Sequence, residues 1–281
     1  MFQNDLLQGK RILITGGGTG LGKAMGARFL ELGADLVICG RRRDVLEVTA
    51  SEFRTKHRGS VDCFACDLRD SASVETMMAD IWGTRPIDVL VNNAAGNFVA
   101  RTEGLSPRAF DAVLGSVLHG SAYVTLAAGK RWIEAGRSGA VLSILTTYAW
   151  TGSAYVVPSA MAKAGVLAMT RSLAVEWGPK GVRLNAIAPG PFPTPGAWER
   201  LVPRADLARD FETRNPLGRP GRHEELANLA SFLVSDGAGF INGECVTIDG
   251  GDWLKGAGQF SFLEKLNEAE WESLKPKKGR D

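Results

Sequence analysis

The stretch "LITGGGTGLGKAMG" sets glycines at Gly16, Gly18, Gly20 and Gly22 between a short apolar run and a helical pattern. A turn bare of side chains lets backbone N–H groups and a helix N-terminus come close to a pyrophosphate. Gly16, Gly18, Thr19, Gly20, Leu21 and Gly22 are therefore candidate contacts to a dinucleotide. The next apolar run ends in "CGRRRD", where a protein reading the free ribose of NAD would present a carboxylate. Guanidinium groups instead pair with a 2′-phosphate through charge-assisted bonds, so Arg41 and Arg42 point to NADPH. Asp67 in "CDLRD" is placed to accept from an adenine amino group. Asn93 in "VNNAAGN" is followed by small residues that suit close passage of the cofactor.

Such groups need a scaffold that delivers them to one edge, and the chain supplies one. Short apolar runs bounded by glycine or charge predict strands over Arg11–Thr15, Asp35–Cys39, Val61–Cys66, Asp88–Asn93, Ala140–Leu145, Val182–Ile187 and Glu244–Ile248. Helical periodicity fills the intervals at Leu21–Leu32, Asp44–Lys56, Ala72–Trp82, Pro107–Ala135, Ser159–Trp177 and His223–Ser235. The alternation predicts an α/β fold: a Rossmann-like, doubly wound parallel sheet of about seven strands with helices on both faces. One domain is expected over residues 1–255, with a tail over 256–281. The proline- and glycine-rich excursion from Pro189 to Arg222, with an amphipathic piece at Arg204–Thr213, reads as a lid over the carboxyl edge of the sheet. In the tail, Asn267 and Glu270 are spaced to cap a short helix around Trp271.

Composition narrows the classes. A chain of 281 residues with 44% hydrophobic content can bury one substantial core. A net charge of +2, with basic residues scattered outside Arg41–Arg43 and the C-terminus, predicts no nucleic-acid surface. Cys39, Cys63, Cys66 and Cys245 lie in apolar, strand-like stretches and read as core residues, "CFAC" included. His57, His119 and His223 lack metal-ligand spacing, so no metal is expected. The first residues show no leader, and no apolar stretch reads as long enough to span a bilayer. A cytoplasmic location without membrane contact is the expectation.

Taken together, "TGGGTGLG", "NNAAG", Lys163 on its helix, "NAIAPGPF" and "IDGG" resemble, in order and over nearly the whole chain, the short-chain dehydrogenase/reductase family. Two positions depart from that pattern. Ser159 stands one turn before Lys163, where the family acid is a tyrosine, and Val117 stands where many members carry asparagine. The words "NNAAGNF", "TTYAWTGS", "VVPSAMAKAG" and "APGPFPTPGAWERL" are similar to the 2,4-dienoyl-CoA reductase branch, which shares the Ser-to-Lys spacing.

That resemblance implies NADPH-dependent reduction of an acyl-CoA substrate, 2,4-dienoyl-CoA to 3-enoyl-CoA, in the β-oxidation of unsaturated fatty acids. It implies Tyr148 as the acid, Asn97 as its partner, Lys163 on the nicotinamide ribose and Ser159 in support. Pro189, Gly190, Pro191 and Phe192 would line the nicotinamide, and Arg69, Phe98, Ser106, Tyr148 and Arg200 the substrate. A homotetramer is implied as well. The rival expectations are a trans-2-enoyl-CoA reductase, a carbonyl reductase using Tyr148 or Tyr155, and a catalytically silent NADPH-binding protein.

Overall fold

The computed structural model describes residues 3–194, 204 and 214–275. Runs rich in Val, Ile and Leu become seven parallel strands: β1 (Arg11–Thr15), β2 (Asp35–Gly40), β3 (Val61–Ala65), β4 (Val89–Asn92), β5 (Gly139–Ile144), β6 (Val182–Pro189) and β7 (Cys245–Ile248). Their order is β3-β2-β1-β4-β5-β6-β7, so the direction of winding reverses between β1 and β4. A crevice opens at the carboxyl ends of strands beside such a switch point. The main departure in strand length is at β6. It runs on to Pro189 because Ala188 and Pro189 stay in register with Thr247 and Ile248 of β7.

Alternate residues of each strand feed two cores. Ile12, Ile14, Leu36, Ile38, Val89 and Val91 face α1 (Gly20–Glu31), α2 (Arg43–Lys56) and α8 (His223–Val234). Leu13, Val37, Leu90, Val141 and Leu184 face α3 (Ser71–Thr84), α5 (Gly120–Glu134) and α7 (Val157–Trp177). Burying a side chain of this size contributes about 1.5–3 kcal/mol, so two continuous cores dominate the stabilisation. The Trp132 indole is fully buried and donates to the Ile87 carbonyl at 2.6 Å, tying α5 to the entry of β4.

The helix expected over Pro107–Ala135 is continuous but not uniform. Helix α4 (Pro107–Leu114) passes through a π turn at Gly115–His119 into α5. By length and composition alone, Pro107–Glu134 is apolar enough to cross a membrane, which corrects the expectation that no stretch reaches that length. Half of that apolar window is buried inside the protein, against the β-sheet and α7.

The cysteines are free thiols, with Cys39 and Cys66 buried. Burial pushes Cys66 up to about 11, far from thiolate chemistry. After β7 come α9 (Asp252–Ala257) and α10 (Glu268–Ser273). The latter has the expected capping box, with Asn267 accepting from the Glu270 N–H and Glu270 from the Asn267 N–H. Most of the Pro189–Arg222 excursion, including nearly all of Arg204–Thr213, lies outside the described residues.

At the opposite edge, the amino ends of the strands are clamped by two arginines. Arg11, 3% exposed, donates to the carbonyls of Ile81 and Arg85 and pairs with Asp62 at 2.8 Å. Arg183 donates to the carbonyls of Ile241 and Ser235, closing the exit of α8.

Candidate active site

The glycine turn leaves β1 and enters α1 at the switch point. Gly16 and Gly20 have φ of +67° and +54°, a region that L side chains rarely adopt. A Cβ on Gly22 would lie 2.5 Å from the Asn93 amide and from the Gly16 carbonyl oxygen, so only glycine lets α1 start this close to β1. Thr19 precedes α1 in an extended conformation without capping its own helix. The Lys23 N–H makes the first intrahelical bond, to Thr19. The amides of Gly20, Leu21 and Gly22 come before it and are available to an anion. The Gly18 carbonyl accepts from the buried Thr49 hydroxyl at 2.8 Å, and Thr194 packs over Gly20. This bare cradle fits the pyrophosphate of a dinucleotide.

Asn93 works on the protein itself. Its amide donates to the carbonyls of Thr15 and Gly16 at 3.0 and 3.2 Å, locking the turn to the end of β4. The buried Thr15 hydroxyl completes that lock by accepting from the N–H groups of Asn93 and Ala94, both at 3.0 Å. Nothing in a strand-end threonine had marked it for this role.

Arg41 and Arg42 lie exposed at the end of β2, and no hydrogen bond holds either guanidinium among the described residues. Arg43, by contrast, is engaged with Glu47 at 2.8 Å. Asp67 and Arg69, expected at opposite ends of the ligands, are brought together. Arg69 donates to both carboxylate oxygens, and this pairing holds the Asp67 carboxyl below the usual carboxylate range. Arg69 also lies across Gly115 in the π turn, 3.4 Å from where a Cβ would stand.

Tyr148 opens a single-turn helix, α6 (Tyr148–Thr151), directly beyond β5. Its hydroxyl lies 3.0 Å from the hydroxyl of Ser159, which is buried in the first turn of α7. One turn on, buried Lys163 donates from Nζ to the Ile144 carbonyl at the end of β5. That leaves two of its three N–H donors for other partners. Burial pulls the Lys163 ammonium down to about 8.

The remaining expected residues are distributed around this centre. The Asn97 side-chain oxygen accepts from the Phe98 N–H at 2.9 Å, which leaves its amide hydrogens unpartnered among the described residues; no hydrogen bond joins it to Tyr148 there. Phe98 packs with Val113, Val117 and Ala162, so the family's usual asparagine position is here part of an apolar wall. Ser106 is exposed at the start of α4. Pro189 ends β6, the Gly190 N–H donates to the Ile248 carbonyl at 3.0 Å, and the Pro191 carbonyl accepts from Gly221 at 2.9 Å. Phe192 lies over Gly221. Arg200 lies outside the described residues.

Tyr155, the competing phenol, is 59% exposed and is the one non-glycine residue with positive φ, +66°, among the described residues. Its carbonyl accepts from the Ala100 N–H at 2.9 Å, which ties the loop carrying Asn97 and Phe98 to the approach of α7.

The glycine cradle leaves the carboxyl end of β1, and the Tyr148–Ser159–Lys163 group gathers at the carboxyl end of β5, so one edge of the sheet carries both, as an oxidoreductase that uses a dinucleotide requires. The chain belongs to the short-chain dehydrogenase/reductase family: the family model described as enoyl-(acyl carrier protein) reductase matches residues 16–252. A protein from Bacillus subtilis (strain 168), named a probable 2,4-dienoyl-CoA reductase [(2E)-enoyl-CoA-producing], is 45% identical over 88% of this chain and 98% of its own length. One from Caenorhabditis elegans, named probable 2,4-dienoyl-CoA reductase 3 [(3E)-enoyl-CoA-producing], is 42% identical over 96% of this chain and 90% of its own. Among solved structures, a putative NAD(P)-dependent gluconate 5-dehydrogenase from Beutenbergia cavernae with bound NADP superposes with a TM-score of 0.85. It is 30% identical and covers 90% of this chain and 100% of its own.

Proposed function

We propose that this protein reduces 2,4-dienoyl-CoA thioesters to 3-enoyl-CoA with NADPH in the β-oxidation of unsaturated fatty acids, acting as a cytoplasmic homotetramer. The observation that carries the reading is the 3.0 Å contact between the Tyr148 and Ser159 hydroxyls, on the helix that also holds Lys163. The names of the B. subtilis and C. elegans relatives support the same substrate class. The exposed guanidinium groups of Arg41 and Arg42, which no hydrogen bond holds among the described residues, support NADPH over NADH, because a 2′-phosphate would find two cations there.

NADPH, when bound, would supply the hydride that the δ carbon of the conjugated diene accepts. The chain's own residues manage the charge this creates. Tyr148 donates to the thioester oxygen while its own oxygen accepts from Ser159, and the free amide of Asn97 donates to the same oxygen. Fixed donors act most strongly where negative charge builds up, which here is the oxygen of the dienolate. Water then protonates the α carbon, and the double bond remains between the β and γ carbons. Lys163 would hold the nicotinamide ribose, and Arg69, Phe98 and Ser106 would flank the acyl-CoA; Arg200, assigned the same role, lies outside the described residues.

The same logic accounts for Ser159 in the tyrosine position. A ketone carries its oxygen on the carbon that takes the hydride, so the acid must stand beside it. A dienoyl thioester carries its oxygen several bonds away, and the donor has moved with it.

The test is NADPH oxidation with 2,4-dienoyl-CoA, 2-enoyl-CoA and ketones side by side, with the product double bond located by NMR. Turnover of the dienoyl thioester to the 3-enoyl product is expected. Turnover of ketones alone would end the acyl-CoA reading. A 2-enoyl product from the dienoyl thioester would place the proton on the γ carbon instead, the outcome in the B. subtilis relative's name, and turnover of 2-enoyl-CoA without the dienoyl thioester would favour the runner-up, a trans-2-enoyl-CoA reductase.

A further inference from the structure

We infer that Trp253 is a positioning residue for Tyr148: its indole braces α6, so that the Tyr148 hydroxyl stays against Ser159. The inference rests on the reading above, in which Tyr148 donates to the substrate oxygen. Helix α6 has only four residues, and one turn cannot hold itself together in water. It ends at Gly152, whose φ is +69°. Its position must come from what its side chains touch. Ala149 points into a small core with Leu145, Val166 and Leu167, and the Tyr148 hydroxyl reaches Ser159. The third hold is Trp150, whose ring meets that of Trp253 edge to face, with centroids 5.8 Å apart and planes at 82°. This is the favoured geometry for an aromatic pair.

Trp253 is itself firmly held. The Asp249 carboxylate accepts from the N–H groups of Gly251 and Trp253, both at 2.9 Å, fixing the first turn of α9. The Asp249 carbonyl accepts from the Asn215 amide at 2.6 Å, and Arg214 forks onto Asp252 with two bonds of 2.9 Å. The brace therefore runs from the loop after β7, through one aromatic contact, to the turn that carries the phenol. A displacement of about 1 Å at a catalytic group can cost up to about a hundredfold in rate, so a loosened α6 would be felt at the chemical step.

The test compares Trp253→Ala and Trp253→Phe in the wild-type and Tyr148→Phe backgrounds. Trp253→Ala should lower kcat for dienoyl-CoA by about tenfold, within the range that misplacement can cost. Binding of NADPH should stay within about twofold, and Trp253→Phe should recover most of the loss, since an aromatic edge remains. In the Tyr148→Phe background the same change should have almost no effect. Equal losses in both backgrounds, or no loss in either, would overturn the inference.

A second readout needs no substrate and so separates this inference from the reaction reading. The chain has three tyrosines, Tyr123, Tyr148 and Tyr155, which ring-labelled NMR can resolve with Tyr→Phe variants. Trp253→Ala should shift the Tyr148 resonance while leaving that of Tyr123 in place. An unmoved Tyr148 signal would sink the brace even in an active enzyme, and a moved one would sustain it even if dienoyl-CoA proved not to be the substrate.

Discussion

Ser159 and Tyr148 share one hydrogen bond, so their substitutions should not be equivalent. On the proposed mechanism Tyr148→Phe removes the donor to the substrate oxygen, and losing such a donor costs about two to three orders of magnitude in kcat. Ser159→Ala removes only the group behind it and should cost far less, with NADPH binding near normal in both. Steady-state kinetics and nucleotide titration check this; equal, small effects would mean the acid lies elsewhere. Lys163 gives a pH signature. Its ammonium titrates near 8 in the folded chain against 10.5 for a free lysine. Between those values the unfolded chain holds a proton that the folded chain has released, so stability attributable to Lys163 rises with pH across that window. Lys163→Met should abolish the rise, as urea unfolding of both proteins near pH 8 and near pH 10 would reveal. At this scale the sequence marked the glycines, the paired arginines and the Ser–Lys face, because each is a residue type tied to one chemistry. It did not mark Thr15, Thr49 or the Asp67–Arg69 pair, whose roles depend on partners distant in the chain or on the path of a loop.

Among the elements, the entry of α1 is the most exacting. The contacts that a Cβ on Gly22 would make, with backbone and a clamped amide, have no flexible side chain to yield. Gly22→Ala should cost about 1–3 kcal/mol, as overpacking does, and should weaken NADPH binding in the same measure because the cradle shifts with the helix. Thermal denaturation with and without NADPH tests both halves; a variant of unchanged stability and affinity would show the turn to be more pliable than this. Strand and helix positions were legible from apolar periodicity alone. The π turn at Gly115–His119 was not, since one widened turn leaves the period of a long helix almost undisturbed. Nor was the positive φ of Tyr155, because nothing in the residue type announces a left-handed backbone. The one-turn helix of Tyr148 lies between an expected strand and an expected helix, and four residues are too few to show a period.

Across the whole molecule, the two ends of the sheet are built differently. The carboxyl end carries the strained Tyr155 and, among the described residues, three buried polar side-chain atoms without hydrogen-bond partners: Asn92 Oδ1, Ser143 Oγ and Thr146 Oγ1. The amino end carries arginines whose donors are met by carbonyls and carboxylates. Removing Arg11 would leave the Arg85 carbonyl without this donor and Asp62, 47% exposed, without its cation, while the Ile81 carbonyl keeps the Arg85 N–H. Arg11→Met should therefore cost about 1–3 kcal/mol of global stability, the scale for leaving a buried acceptor without its donor, with kcat at low temperature nearly unchanged. Chemical denaturation alongside initial rates decides this, and a fall in kcat without a fall in stability would contradict it.

The Arg11 and Arg183 clamps have a practical consequence. Because they hold the strands from the edge opposite the glycine turn, a library aimed at new substrate specificity can be confined to the loops around Phe98, Tyr148 and Tyr155 and need not spend its members on rescuing the scaffold. Thermal resilience can be sought separately, by reinforcing the residues around Asp62 and Ser235, and the two sets of changes should combine additively because no side chain is shared between them.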